Sequence, residues 1–332
     1  MSVDPSEIAD EAGLRYADLD RPGIARRRRG KGFSYHGPRG GAVDDRTRRR
    51  IEELVIPPAW DDVWIAPDAD SHILATGIDD AGRRQYLYHP DFRHVADEIK
   101  FARVGLLAHK IADVRAATRA AIASDDERTR LTGVVVRLID RTLMRVGTER
   151  YADEHESFGA STLRCEHATV SGHGVTLCFT GKSGKEQAHA VDDEDLFEHI
   201  RRRRRQYQGG ELLFATEDGW TVDGAVVGEW LSNVVRFDIS AKDLRTLGAS
   251  ATMVHELMEP TVPPGDRDPL VVAYDVVAER LGNTRTIAKT SYVAPRVVEA
   301  FEEGELARRW STSRRSQERS REESVLAKLL AE

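Results

Sequence analysis

The spacing of apolar residues changes at Pro90, from a period near two to a period of three or four, and that switch implies an α+β chain whose strands and helices are segregated. From Gly32 to about His89, short runs at 33–35, 63–66, 72–78 and 85–88 read as strands. Pro57-Pro58, Pro67-Asp68 and Asp79-Asp80-Ala81-Gly82 punctuate them with turn-forming residues, and 46–54 reads as a short helix with Ile51 and Leu54 inward. Beyond Pro90, Val95, Ile99, Ala102, Leu106, Leu107 and Ile111 recur at helical spacing through 92–123. Val134, Val135, Leu138, Ile139 and Leu143 mark a buried helix over 132–144.

Between 161 and 191 the period returns to two. Strands are expected at 162–170, 175–180 and 186–191, joined by Ser171-Gly172-His173-Gly174 and Gly181-Lys182-Ser183-Gly184-Lys185. Helical patterning resumes over 193–207, 226–235, 238–256, 270–281, across Tyr292, and over 314–331. Asp238 and Ser240 are capping candidates for the third of these. The expected organisation is an acidic then basic leader at 1–31, partly disordered, a small β-rich domain at 32–90, and a larger, mainly helical domain at 91–332 with a three-stranded sheet.

In 332 residues the 40% hydrophobic content supplies a proper core. No apolar run is long enough to span a membrane, and the N-terminus lacks the basic and apolar regions of a secretory signal, so the expected setting is cytoplasmic with no membrane partner. In that reducing compartment, Cys165 and Cys178 read as two buried free thiols in neighbouring strands, with a disulfide as the alternative. The net charge of −7 argues against a nucleic-acid partner only when taken whole. Acidic residues crowd the first twenty positions, whereas arginines cluster at 26–29, 48–50 and 201–205, as solvated faces or as a basic groove.

Several residues stand out locally. Gly82-Arg83-Arg84-Gln85-Tyr86-Leu87-Tyr88 reads as a strand with Tyr86 and Tyr88 on one face and Arg84 with Leu87 on another, and Gln85 facing away from the phenols. Cations, an amide able to read adenine and two aromatics make a plausible DNA-groove surface, with edge-strand packing as the alternative. Arg145 follows a buried helix, two residues before a glycine that lets the backbone turn. Lys182 sits on a hairpin tip. Its Gly-Lys-Ser lacks the upstream glycine of a phosphate loop and joins two strands, so nucleotide binding is rejected. Lys242 and Arg245 share a helix face. His167 and His173, near Cys165, lack zinc-site spacing, and no cofactor is expected.

In this order, Gly-Arg-Arg-Gln-Tyr-Leu-Tyr at 82–88, Arg-Val-Gly at 145–147, Phe-Thr-Gly-Lys at 179–182, Lys-Asp-Leu-Arg-Thr at 242–246 and the tract ending Ser291-Tyr292 resemble a type IB DNA topoisomerase of the small poxvirus and bacterial kind. The resemblance covers nearly all of 32–330. It implies a clamp around duplex DNA, acting as a monomer on the nucleoid, in which Tyr292 attacks a phosphodiester and holds a 3′-phosphotyrosyl link while the nicked strand swivels. Supercoils of either sign relax on religation, without ATP or metal. Arg145 and Arg245 would hold the non-bridging oxygens, and Lys182 would be the acid for the 5′-oxygen. Lys242 and Tyr151 would contact DNA, as would Arg84, Gln85, Tyr86 and Tyr88 in the N-terminal domain. Viral members carry a histidine nine residues before the tyrosine; Asn283 here can donate a hydrogen bond but cannot carry charge.

A tyrosine recombinase would use a related Arg, Lys, Arg and Tyr set. Such enzymes usually show His-x-x-Arg where this chain has Lys242-Asp-Leu-Arg245, and their N-terminal domain is helical. An inactive DNA-binding clamp is the other alternative, but a mere binder has no use for a phosphate-facing tyrosine. Site preference, the physiological setting and the leader's role are not legible in the sequence.

Overall fold

The computed structural model of the chain describes residues 4–149, 152, 154, 156–172, 174–207 and 209–330. Its contacts fall into two units, residues 1–100 and 101–332.

The first unit is built on a five-stranded antiparallel sheet in the order β2-β1-β3-β4-β5. The strands are β1 (Ile24–Arg29), β2 (Gly32–His36), β3 (Asp61–Ile65), β4 (Ile73–Ile78) and β5 (Arg84–Tyr88). Alternation decides its two faces. Ile24, Val63, Ile65, Ala75 and Leu87 gather on one of them with Ile51 of helix α2 (Asp45–Glu53) in a small apolar cluster. Each fully buried valine or isoleucine among them contributes about 1.5–3 kcal/mol.

The stretch expected to be a loose leader is ordered in two places. Helix α1 (Pro5–Glu11) starts at Asp4, whose carboxylate accepts the Ser6 N–H at 2.8 Å, and β1 is an interior strand of the sheet. Local composition offers little to bury here because the partners lie far along the chain. Ala9 and Leu14 pack with Phe92, and Ile24 pairs in register with Ile65.

The second unit is mainly helical. Helix α3 (Pro90–Ile122) runs on into it, followed by α4 (Glu127–Thr142), α5 (Glu194–Gln206), α6 (Gly224–Val235), α7 (Ala241–Met258) and α8 (Pro269–Leu281). A single turn α9 (Arg285–Ile287), then α10 (Pro295–Glu302), α11 (Glu305–Thr312) and α12 (Arg321–Leu329) complete it. The last is shorter than the periodicity over 314–331 suggests, because Ser320 and Glu323 form a reciprocal cap that starts the helix there. Helices α4 and α7 are buried along most of their length and lie at the centre of the core, α7 touching α4, α8 and α12.

A three-stranded antiparallel sheet, order β6-β7-β8, completes this unit: β6 (Ala168–Ser171), β7 (Gly174–Thr180) and β8 (Glu186–Val191). The strand expected over 162–170 survives only at its end. The Arg164 N–H donates to His167 Nδ1 at 3.0 Å, and Cys165–His167 curls into a 3-10 turn. The cysteines therefore differ from expectation. Both are free, but only Cys165 is buried, in that turn; Cys178 is exposed because it alternates with the inward Leu177 and Phe179 on β7.

Candidate active site

Tyr292 closes a π turn, Ala288–Tyr292, between α9 and α10, a widened helical turn of the kind that recurs at functional sites. Ser250 of α7 clamps the backbone there, its Oγ donating to the Tyr292 carbonyl at 3.2 Å and accepting the Ala294 N–H at 3.1 Å. The Tyr292 side chain is buried, 7% exposed, and its hydroxyl accepts a hydrogen bond from Arg245 Nη1 at 2.8 Å. Arg245 is itself only 4% exposed. Its Nε donates to the Leu143 carbonyl at 2.6 Å and its Nη2 to the Leu281 carbonyl at 3.4 Å, so two backbone oxygens aim the guanidinium at the phenol. Burial lowers the Arg245 pKa and Arg145 adds to that, with Tyr292 opposing. An arginine remains charged under such a shift. Leu143 adopts φ 57°, a left-handed conformation costly for a leucine, at the helix end that presents this carbonyl.

Arg145 is held from a different direction. Its carbonyl accepts the Ala160 N–H at 2.7 Å, and that of Val146 accepts the Ser161 N–H at 2.6 Å, locking 145–147 against 159–161. Gly147 is required at this crossing: φ is +101°, and a Cβ would stand 2.6 Å from Thr162 Oγ1. Arg145 Nη2 donates to Asn283 Oδ1 at 2.5 Å. Asn283 follows α8, with its N–H on the Ala278 carbonyl at 2.8 Å. Its Nδ2 is buried and has no partner among the described residues, which leaves a donor for an outside acceptor.

These groups border a cavity of about 350 Å³ lined by Arg145, Lys182, Lys185, Lys242, Gly282, Asn283, Thr284, Ile287, Ser291 and Tyr292. Among the described residues four cations and no carboxylate line it, in a chain whose net charge is −7. Such a site favours an anion. Lys182 arrives on a 3-10 turn, Lys182–Gly184, at the tip of the β7–β8 hairpin, and Lys242 on the exposed side of the first turn of α7. Lys185, Thr284 and Ser291 were not among the expected site residues, although Lys185 lies in the hairpin loop of Lys182 and Ser291 in the tract that ends at Tyr292.

In the N-terminal sheet, Arg84, Tyr86 and Tyr88 all lie on the face away from the apolar cluster, and Gln85 shares a face with Leu87. This corrects the expected pairing of Arg84 with Leu87, since strand parity puts 84, 86 and 88 together. Gln85 is already engaged, its Nε2 donating to Asp79 at 2.8 Å; that bond, after those from Arg83, helps hold the Asp79 carboxyl down at about 2. The Tyr86 and Tyr88 rings stack at 5.9 Å and stand 42% and 36% exposed. The strand register puts Arg27, from the arginine run at 26–29, on the same outer face with Trp64 and Ser34, which no sequence motif singled out. Tyr151 lies outside the described residues.

Residues 89–318, more than half of the chain, match the catalytic core of eukaryotic DNA topoisomerase I. The chain belongs to the type IB DNA topoisomerase family. Residues 32–79 match the N-terminal domain of bacterial DNA topoisomerase IB. Among curated relatives, DNA topoisomerase 1B of Acanthamoeba polyphaga mimivirus is 28% identical over 299 residues, covering 84% of this chain and 88% of that protein. DNA topoisomerase 1B of Vaccinia virus (strain Copenhagen) is 24% identical over 261 residues, 75% of this chain and 80% of that protein. A solved structure of the XerH site-specific recombinase bound to its difH substrate aligns with a TM-score of 0.38 at 18% identity over 58% of this chain and 50% of that one, too slight a likeness to bear on function. Among the described residues no group of His, Cys, Asp or Glu side chains is placed to hold a metal ion, and no helix is long and apolar enough to cross a membrane.

Proposed function

We propose that this type IB topoisomerase cuts one strand of duplex DNA with Tyr292 and reseals it. The observation that carries the reading is the convergence of Arg145, Lys182, Lys242 and Asn283 on one cavity around a tyrosine hydroxyl already held by Arg245, with no carboxylate among the described residues that line it. The phenolic oxygen bonds to phosphorus and releases its proton to solvent. The bond from phosphorus to the 5′-oxygen breaks, and Lys182 protonates the departing oxygen. Arg145, Arg245 and the free Asn283 Nδ2 stabilise the charge that grows on the non-bridging oxygens. The phosphoester bond is exchanged rather than hydrolysed, so religation is the same step reversed and needs neither nucleotide nor metal.

In the clamp that the family resemblance implies, the outer face of the N-terminal sheet, with Arg84, Tyr86 and Tyr88, is the DNA-facing surface, and Lys242 contacts the strand near the cut. The setting we propose is the bacterial cytoplasm, with a monomer acting on nucleoid DNA; the match of 32–79 to the bacterial N-terminal domain supports the bacterial part of that reading alone. The test is purified protein on supercoiled plasmid with EDTA and no nucleotide, run beside Tyr292→Phe. Relaxation by the parent with a covalent adduct on denaturing gels, and DNA binding without adduct by the variant, is the expected result. An adduct retained by Tyr292→Phe would remove Tyr292 from its role.

A further inference from the structure

Lys182 stands on a five-residue hairpin tip, Gly181 to Lys185, closed by the Gly181 N–H on the Lys185 carbonyl at 2.7 Å. Nothing in that turn itself dictates where the ammonium group sits relative to Asn283 and Tyr292, which belong to a separate segment more than a hundred residues later. One side chain touches both parts. Gln187, the second residue of β8, lies against two glycines. A Cβ on Gly181 would stand 2.9 Å from Gln187 Cγ, and a Cβ on Gly282 would stand 2.2 Å from Gln187 Oε1. Gly282 is the left-handed cap of α8, φ +62°, and its next residue is Asn283. Two residues along the same face of β8, His189 is half-buried, and its pKa is lowered by that burial and, after it, by the charge of Arg280 on α8.

We infer that Gln187 is a positioning residue that seats the Lys182 turn on the Gly282–Asn283 corner and so sets the reach of Lys182 to the departing 5′-oxygen. Its stem fills the space left at Gly181 and its amide the space left at Gly282, with Nε2 donating to the Glu186 carbonyl at 3.2 Å. Shortening it removes the stop between hairpin and corner while leaving Arg145, Arg245 and Tyr292 in their own hydrogen bonds. The inference rests on the reading of Lys182 as the acid.

The experiment is single-turnover cleavage by the full chain of two duplexes carrying a cleavage site mapped with this enzyme, one with the natural 5′-bridging oxygen and one with sulfur there. Sulfur leaves without a proton. Gln187→Ala and Gly181→Ala, the latter at φ −92° where alanine is unstrained, are compared with Lys182→Ala. Misplacing an acid by about 1 Å can cost on the order of 100-fold. Gln187→Ala and Gly181→Ala should therefore slow the oxygen substrate by roughly 10- to 100-fold. They should cut the sulfur substrate at close to the parent rate, which also shows that the rest of the site is folded. Equal losses on both substrates, or no loss on either, overturn the inference. If sulfur fails to rescue Lys182→Ala, the acid assignment falls and the inference with it. If sulfur rescues Lys182→Ala but not Gln187→Ala, only the role of Gln187 falls.

Discussion

Replacing Arg245 by lysine tests the geometry of the site more sharply than removing the tyrosine does. The arginine uses its whole fork: Nε on the Leu143 carbonyl, Nη2 on the Leu281 carbonyl and Nη1 on the Tyr292 hydroxyl. The two carbonyls fix the plane, and the plane aims one donor at the Tyr292 hydroxyl, beside which the proposed reaction seats the phosphate. A lysine keeps the charge but has one nitrogen, which cannot serve three oxygens on different sides of the fork. Loss of one preorganised donor to developing charge costs about 2.7–4 kcal/mol, or roughly 10²- to 10³-fold in rate. Arg245→Lys should therefore cleave end-labelled duplex about 10²- to 10³-fold more slowly under single-turnover conditions at saturating protein, read as trapped covalent adduct. Its DNA affinity should change far less, because binding is shared among many phosphate contacts. A lysine variant cleaving within tenfold of the parent, or a defect confined to Kd, would refute the claim that the fork's orientation matters.

Gly147→Ala should destabilise the second unit by about 2–4 kcal/mol in chemical denaturation, since it forces alanine to a positive φ and drives a methyl group into Thr162; a change below about 1 kcal/mol would mean the crossing of 145–147 with 159–161 is softer than it looks. His199 is held down to about 4 by burial, assisted by Arg202, Arg203 and Arg130, so it stays neutral when folded while the unfolded chain takes up its proton near 6.5. The unfolded state thus binds more protons between those values, and stability should fall as pH drops from about 6.5 towards 4, by about 3 kcal/mol from this residue. His199→Gln should flatten that part of the stability profile, and an unchanged slope would assign it to other groups.

The amino-acid pattern by itself determined the order of strand-rich and helix-rich regions, because alternation and helical spacing are local properties. It singled out Arg145, Lys182, Arg245 and Tyr292 only through five short motifs in a fixed order, since each residue taken alone reads as readily as a helix-end, turn or packed side chain. It could not show that residues 24–29 are a sheet strand, since Ile24 is buried by partners far along the chain, Ile51, Val63, Ile65 and Ala75. Nor could it show that Arg245 is aimed by the carbonyls of Leu143 and Leu281, or that Gln187 lies between Gly181 and Gly282. Backbone oxygens carry no residue-specific signature, and a space left by two glycines exists only once a third segment is laid across them. Tertiary structure alone brought cations scattered from Arg145 to Arg245 around one phenol, in a chain whose total charge is negative, because burial sorts charges by position and the sum over the sequence does not.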